Sequence, residues 1–303
     1  MTALVLGHNG MLGSAIVRAC RTAGIETIHQ KGRFDLRDAD LCDALIPDCD
    51  VLFLCAARVG GISANIARPG EFIRDNLAIQ TNVIEAARGR CRLFVFFGSS
   101  CIYPRDAKQP ITEDLLITGP LEPTNEPYAM AKLAGISMLR AYEKQYGMRW
   151  LCPMPCNLYG PGDHFERDDA HMIPALIHRL HQAKIAGAES VTVWGDGTPR
   201  RECMHVDDCA QITLDLVRRD LDGPPMRVVN VGAGRDWSVR EIAETIARVV
   251  GYRGAIRFDA SRPNGVTSKL MLSHFGPVVR PLGIGLEDTY RWYLANVAAK
   301  VVS

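Results

Sequence analysis

Apolar runs and amphipathic stretches alternate from the first residues onward. Thr2–Leu6 is a short apolar run, Gly7-His8-Asn9-Gly10-Met11-Leu12-Gly13 interrupts it, and Ser14 to Thr22 repeats its apolar positions at helical spacing. Glu26–Gln30, Asp50–Ala57 and Leu93–Phe97 read as further strands, the last apolar at every position, as a strand buried on both faces is. Phe72 to Arg88 has helical spacing. A helix runs from Tyr128 to about Tyr146, with Thr124 or Asn125 as its cap and Pro127 in its first turn, and Trp150–Pro155 returns as a strand. The alternation predicts an α/β chain with a Rossmann-type, doubly wound parallel sheet. At Cys156-Asn157-Leu158-Tyr159-Gly160-Pro161-Gly162 the pattern changes to short mixed elements. Residues 1–155, with a return of about 205–234, are expected to form the large domain, and 156–303 mainly a smaller mixed α/β lobe. In that lobe a helix opens at Ala170–Pro174 and carries Arg179, Val191–Trp194 is a strand, and Gly195–Arg201 is a turn. His205–Asp208 caps a helix, Val228–Gly234 rejoins the sheet, Val239–Val250 is an amphipathic helix, Phe258–Lys269 is a loop and Leu286–Asn296 a closing helix.

Composition narrows the classes. The 303 residues carry a net charge of +1, which favours neither nucleic acid nor an anionic membrane surface. No apolar run is long enough to span a bilayer, and Met1–Leu6 has no basic lead-in, so a soluble cytoplasmic protein is expected. The ten cysteines are scattered through apolar stretches without a Cys-x-x-Cys pair, which reads as reduced, buried thiols. His178-x-x-His181 and Cys203 near His205 have ligand-like spacing, but no tetrahedral set completes them, and no metal is expected.

The chemistry concentrates at two places. Strand, glycine turn and helix at Gly7–Gly13 is a dinucleotide-binding arrangement: Gly7 for a tight turn, Gly10 for close approach of a pyrophosphate, Gly13 for helix–strand packing. Asn9, Met11 and Leu12 share that turn. The second strand ends in Lys31-Gly32-Arg33 with no acid before Asp35, which suits a 2′-phosphate and points to NADP(H); an ordinary solvated basic turn is the alternative. Asp35-Leu36 then borders the adenine, and Ala56-Ala57-Arg58-Val59 forms a small-residue turn for a cofactor to lie over, with Asn76 on the following helix.

The other place is Gly98-Ser99-Ser100-Cys101-Ile102-Tyr103-Pro104, followed by Tyr128-x-x-x-Lys132. A serine hydroxyl with a tyrosine and a lysine four apart is a set for ketone chemistry. Tyr128, its pKa lowered by the Lys132 ammonium and the cofactor, is expected to donate a proton to a ketone oxygen that Ser99 also holds, a device worth roughly 2.7–4 kcal/mol per donor. Cys101, two residues on, is placed to act as base at a carbon beside that ketone; its alternative is a buried structural thiol. An acid for the opposite face is then needed, and His171 is the candidate, against a surface or helix-capping role.

These segments, with Leu121–Lys132, Asn157–Pro161, Trp194–Arg201 and His205–Asp208, resemble the GDP-L-fucose synthase family, extended short-chain dehydrogenases/reductases, along nearly the whole chain. The resemblance implies a bifunctional epimerase/reductase that converts GDP-4-keto-6-deoxy-D-mannose to GDP-L-fucose with NADPH. Carbons 3 and 5 are epimerised with Cys101 as base and His171 as acid; the ketone is then reduced at Ser99, Tyr128 and Lys132, the last two also lying at the cofactor. It also implies that Asn157, Arg179, Trp194, Arg201 and Lys269 line the GDP site, and that the enzyme is a homodimer. Three departures from the family pattern stand out: Asn9 replaces a common arginine, Asn264 a common acid, and Met271-Leu272 a common Leu-Asp. They leave room for another GDP-4-ketosugar, such as a 3,6-dideoxy sugar or a 6-deoxyheptose. A sugar-nucleotide 4-epimerase with tightly held NAD and a non-catalytic NADP sensor are the rival readings.

Overall fold

The computed structural model describes residues 1–28, 32, 34–166, 170–262, 267–273 and 279–299. In chain order the first elements are β1 (Thr2–Leu6), α1 (Met11–Thr22), β2 (Glu26–Ile28), α2 (Ala39–Leu45), β3 (Cys49–Leu54), α3 (Ile62–Ala67), α4 (Pro69–Ala86), β4 (Cys91–Phe96), α5 (Glu126–Tyr146) and β5 (Trp150–Pro155). The chain continues through β6 (Asn157–Tyr159), α6 (Met172–Ile185), β7 (Ser190–Trp194), β8 (Arg200–His205), α7 (Val206–Asp222), β9 (Arg227–Val231), β10 (Asp236–Ser238), α8 (Val239–Val250), β11 (Ala255–Asp259) and α9 (Leu282–Tyr293).

Six strands form one parallel sheet in the order β2-β1-β3-β4-β5-β9. The helices fall into mutually packed groups, α1 with α7 and α4 with α2 and α5, as a doubly wound sheet requires. Both faces are therefore covered, which is why Leu93 to Phe97 is buried without a break. The order reverses at β1: the chain goes from β1 outward to β2 and comes back past β1 to β3. Ligands of open α/β sheets lie beyond the carboxyl ends at such a switch point. Here those ends are the Gly7–Gly13 turn and the Cys55–Arg58 loop.

The turn is built by close approach. Gly7 sits at φ +88°, and a Cβ there would lie 2.6 Å from the Ala56 nitrogen; a Cβ on Gly13 would lie 2.1 Å from the Gly7 carbonyl oxygen. At Gly10 the nearest atom would be 3.4 Å away, so this middle glycine is not demanded by packing.

A second apolar core gathers α6, α8 and α9 around the parallel pair β7–β11, while β10-β8-β6 forms a separate three-stranded sheet. Between β8 and β10 the chain passes back through the first core: α7 contributes Val206, Cys209, Leu214 and Val217 to it, and β9 pairs with β5.

Several elements differ from the expectations. The third strand stops at Leu54, because Cys55 and Ala56 both turn their N–H to the Leu6 carbonyl and end the ladder. Residues 200 and 201, expected in a turn, open β8, since the antiparallel partner β10 supplies their ladder. Phe258 and Asp259 finish β11 rather than starting a loop, and α9 begins four residues early, at Leu282. The short α2 was not expected; the Asp38 side chain caps it through the Leu41 N–H at 3.0 Å. The expected sites Lys31, Arg33 and Asn264 lie outside the described residues.

Gly13→Ala is expected to lower the melting temperature by about 4 °C or more, because overpacking against backbone has nowhere to relax. Gly10→Ala should leave it within about 3 °C. Thermal unfolding followed by circular dichroism checks both.

Candidate active site

The site grows from the carboxyl end of β4. Gly98 allows the chain to leave the strand, since a Cβ there would lie 2.2 Å from the Met154 sulfur. Ser99 follows in extended backbone, and its Oγ accepts the Cys101 N–H at 3.2 Å. Tyr103, fully buried, anchors the loop by donating its hydroxyl to Asn230 Oδ1 on β9 at 2.6 Å. The loop's outer part, Ser99 and Cys101, is left half-buried at the mouth of the sheet.

Helix α5 brings Tyr128 and Lys132 to this loop on one face. Tyr128 hydrogen-bonds Ser99 and lies within the field of Cys101. Lys132, 4% exposed, donates from Nζ to the Phe97 carbonyl at 2.9 Å, with Nζ 4.6 Å from the Phe96 ring centroid and 6.0 Å from that of Tyr128. Burial lowers Lys132 to about 8. Burial, then the charge of Cys101, pushes the Tyr128 phenol up, with the Ser99 hydrogen bond opposing. The expected lowering of Tyr128 by Lys132 is thus not what this chain produces by itself. A phenol held high stays protonated and is fully loaded as an acid. Burial also pushes Cys55, Cys152, Cys156 and Cys203 up, which keeps these thiols as packing groups.

The second lobe meets this set through Arg201, half-buried on β8, whose guanidinium lies in the field of Cys101. Asn157, on the neighbouring β6, donates to the Glu202 carbonyl at 2.8 Å. His171 stands exposed as the residue before α6, without capping it through its side chain. Its charge favours the ionised form of Asp163, whose pKa burial raises, and Asp163 Oδ2 is buried without a hydrogen-bond partner. Gly162, next to Asp163, faces Met11 and Ser14 of α1, so this loop lies over the glycine turn. Arg179 is turned outward and donates to the Thr192 carbonyl. Trp194, 59% exposed, carries the Arg262 guanidinium 5.2 Å from its ring centroid, and Lys269 is half-buried. Arg262, Asp163 and Glu202 were not singled out from the sequence; only the position of Asp163 just past Gly-Pro-Gly hints at a role. His178 and His181, considered above as ligand-like, are taken by Tyr293 and Tyr290 hydroxyls, each at 2.9 Å.

At the switch point, α1 opens at Gly10 without a side-chain cap, leaving its first-turn amides and dipole to a ligand. Together with the missing side chain at Gly10, where a Cβ would have no neighbour nearer than 3.4 Å, this fits a dinucleotide pyrophosphate. Ala56 packs against Gly7 of the same turn, and Ala57 and Val59 follow it in the loop. Asn76 does not reach into it: its oxygen takes the Arg58 N–H at 3.0 Å, and its amide donates to the carbonyls of Arg58 (3.0 Å) and Phe72 (2.8 Å). It shapes the loop. Asp35, held to about 2 by its hydrogen bonds to Arg37, is paired with that arginine, and Leu36 is buried beneath. Asn9 is exposed and supplies no cation.

The model of the NAD dependent epimerase/dehydratase family matches residues 3–232, and the chain belongs to that family. It is an epimerase/reductase-type enzyme that works with a nicotinamide cofactor. It is similar to the probable GDP-L-fucose synthase 1 of Oryza sativa subsp. japonica, 45% identical over 305 residues, covering 97% of this chain and 92% of that one. It is also similar to the GDP-L-fucose synthase of Escherichia coli (strain K12), 43% identical over 310 residues and 96% of each chain. Among solved structures, a GDP-mannoheptose C4 reductase from Campylobacter jejuni with NADP bound superposes with a TM-score of 0.82 at 29% identity, over 97% of this chain and 98% of that one. No helix among the described residues is long and apolar enough to cross a membrane.

Lys132 donates to Phe97, and its pKa lies at about 8, below the usual value for lysine, so its positive charge is lost as pH rises through about 8. Ketone reduction by the enzyme is expected to fall above pH about 8, approaching tenfold per unit in kcat/KM. A pH–rate profile of cofactor oxidation checks this; a Lys132→Met variant should lack that limb.

Proposed function

We propose that this enzyme epimerises and reduces a GDP-4-ketosugar, GDP-4-keto-6-deoxy-D-mannose, to give GDP-L-fucose, with NADPH as its cofactor. The observation that carries the reading is one cluster: Ser99, Cys101, Tyr128 and Lys132 at the end of β4, with the Arg201 guanidinium of the second lobe within the field of Cys101. A ketone oxygen seated between Ser99 and Tyr128 is polarised by two hydroxyl donors. That polarisation acidifies the neighbouring carbons and stabilises the enolate formed when Cys101 removes a proton. His171 returns a proton on the opposite face, with the Asp163 carboxyl as its electrostatic neighbour. When bound, the nicotinamide supplies the hydride. Tyr128 then delivers its proton to the ketone oxygen, and Lys132 holds Tyr128 in line while tying α5 to the strand end. Asn157, Arg179, Trp194, Arg201 and Lys269 are assigned to the nucleotide end, where guanidinium forks match phosphate oxygens. For Arg179 this requires release from Thr192, and for Trp194 sharing its ring with Arg262.

Gly7, Gly10, Met11, Leu12 and Gly13 are assigned to the pyrophosphate, with Ala56, Ala57 and Val59 beside it and Asp35 and Leu36 towards the adenine. Lys31 and Arg33 are the proposed 2′-phosphate partners. A homodimer through α4 and α5, which pack side by side, and a cytoplasmic setting, in keeping with ten free cysteines, belong to the same proposal.

Purified enzyme given GDP-4-keto-6-deoxymannose should consume one NADPH per GDP-L-fucose formed, followed by absorbance and product NMR. Cys101→Ser should bind NADPH normally while slowing solvent deuterium exchange at carbons 3 and 5 by about a hundredfold or more. Undiminished exchange removes Cys101 from the base role. Reduction of a different GDP-4-ketosugar in preference, such as a heptose, moves the substrate while keeping the reductase chemistry.

A further inference from the structure

Arg201 and Glu202 are neighbours on β8, and strand alternation sends them to opposite faces. Arg201 lies within the electrostatic field of Cys101. Glu202 turns inward and is 1% exposed. Its carboxylate is surrounded by main-chain donors: Oε1 accepts the Gly234 N–H at 3.0 Å, Oε2 accepts the Met271 N–H at 3.0 Å, and the Ala233 N–H adds a third bond. Gly232 leaves room for it, since a Cβ there would lie 2.5 Å from Oε1. A group that only accepts is what this pocket takes; an amide would set its NH2 against an N–H. Burial raises Glu202 to about 7, the three amides pull it back towards ionisation, and Asp236 on the paired strand adds to the rise.

The gripped segment, residues 267–272, is held on its other side by Gln109 and Ile111. Gln109 accepts the Leu270 N–H at 2.9 Å and donates to the Ser268 carbonyl at 2.7 Å. Ile111 donates to the Leu270 carbonyl and accepts the Leu272 N–H, both at 2.8 Å. Lys269 lies between these anchors. Glu202 thus joins three pieces of chain: the strand that carries Arg201, the turn after β9, and the segment that carries Lys269.

We infer that Glu202 is a positioning residue for the substrate, fixing the 267–272 segment, and Lys269 with it, against the nucleotide end of a GDP-sugar. The inference rests on the GDP-sugar reading of this face. Its physical content is pre-organisation: a segment that must be ordered by the ligand weakens binding, whereas the reacting end is untouched. The signature is a rise in KM and in the dissociation constant of GDP at constant kcat.

The test uses full-length Glu202→Gln and Gln109→Ala enzymes, with GDP and NADPH binding measured by calorimetry and turnover by NADPH absorbance. Glu202→Gln should weaken GDP about tenfold or more and Gln109→Ala about threefold, with KM following, kcat within about twofold and NADPH affinity unchanged. Wild-type GDP affinity in a Glu202→Gln enzyme that still binds NADPH overturns the inference, as does loss of kcat at unchanged GDP affinity. Should Glu202→Gln not fold, Gln109→Ala, whose side chain is exposed, decides alone, and wild-type GDP affinity there overturns it. A wild-type enzyme that binds no GDP overturns the reading of the face and the inference together.

Discussion

A buried ammonium is the constraint on which the site depends. Lys132 has lost nearly all contact with water and keeps one hydrogen bond, to the carbonyl of Phe97. An unpaired charge there would be costly, so the bond fixes the first turns of α5 against the end of β4. Everything the candidate chemistry needs is set by that junction. Tyr128 is one helical turn before Lys132, and Ser99 is two residues after Phe97. Helix and strand are rigid, and the short loop that carries Ser99 starts directly at the strand end and is anchored by Tyr103, so the two hydroxyls are held close together.

The same logic holds at the switch point, where glycines divide the labour. Two of them are consumed by the protein's own packing, against Ala56 and within the turn itself, and at the third a methyl group would meet only an ordinary contact with the Gly7 carbonyl oxygen. Packing demand and ligand demand can therefore be told apart by asking what a methyl group would strike. Asn76 extends this: although it reads as a cofactor residue, its amide is saturated by backbone and it acts by holding the Arg58 loop.

The parts legible in the sequence are those where one local pattern has one physical cause. Leu93–Phe97 is apolar throughout because both faces are covered, and Tyr128 and Lys132 declare a shared helix face through their spacing. Glu202 was hidden because its partners, the amides of Gly234 and Met271, are distant in sequence and carry no side-chain signal. Arg200 and Arg201 followed a glycine-rich turn and read as part of it; only pairing with β10, three residues long, makes them a strand. The upward shift of Tyr128 in the chain by itself was not legible because proximity to a lysine is visible in a sequence and burial is not. Arg179 has the right residue type, but its local partner, the Thr192 carbonyl, is a matter of tertiary packing.

The path of the chain has a consequence for how such an enzyme can be altered. The polypeptide leaves the large sheet after β5, comes back to lay α7 on α1 and to add β9 as the edge strand, and then departs again. The two lobes are therefore interleaved, not strung one after the other. Cutting at the first exit would strip the sheet of its last strand and uncover α1. Exchanging the smaller lobe between relatives, to graft one sugar preference onto another cofactor platform, would need junctions at each crossing rather than one. Modular recombination is closed to this architecture at the obvious boundary, and new specificities must be reached by changing side chains in place.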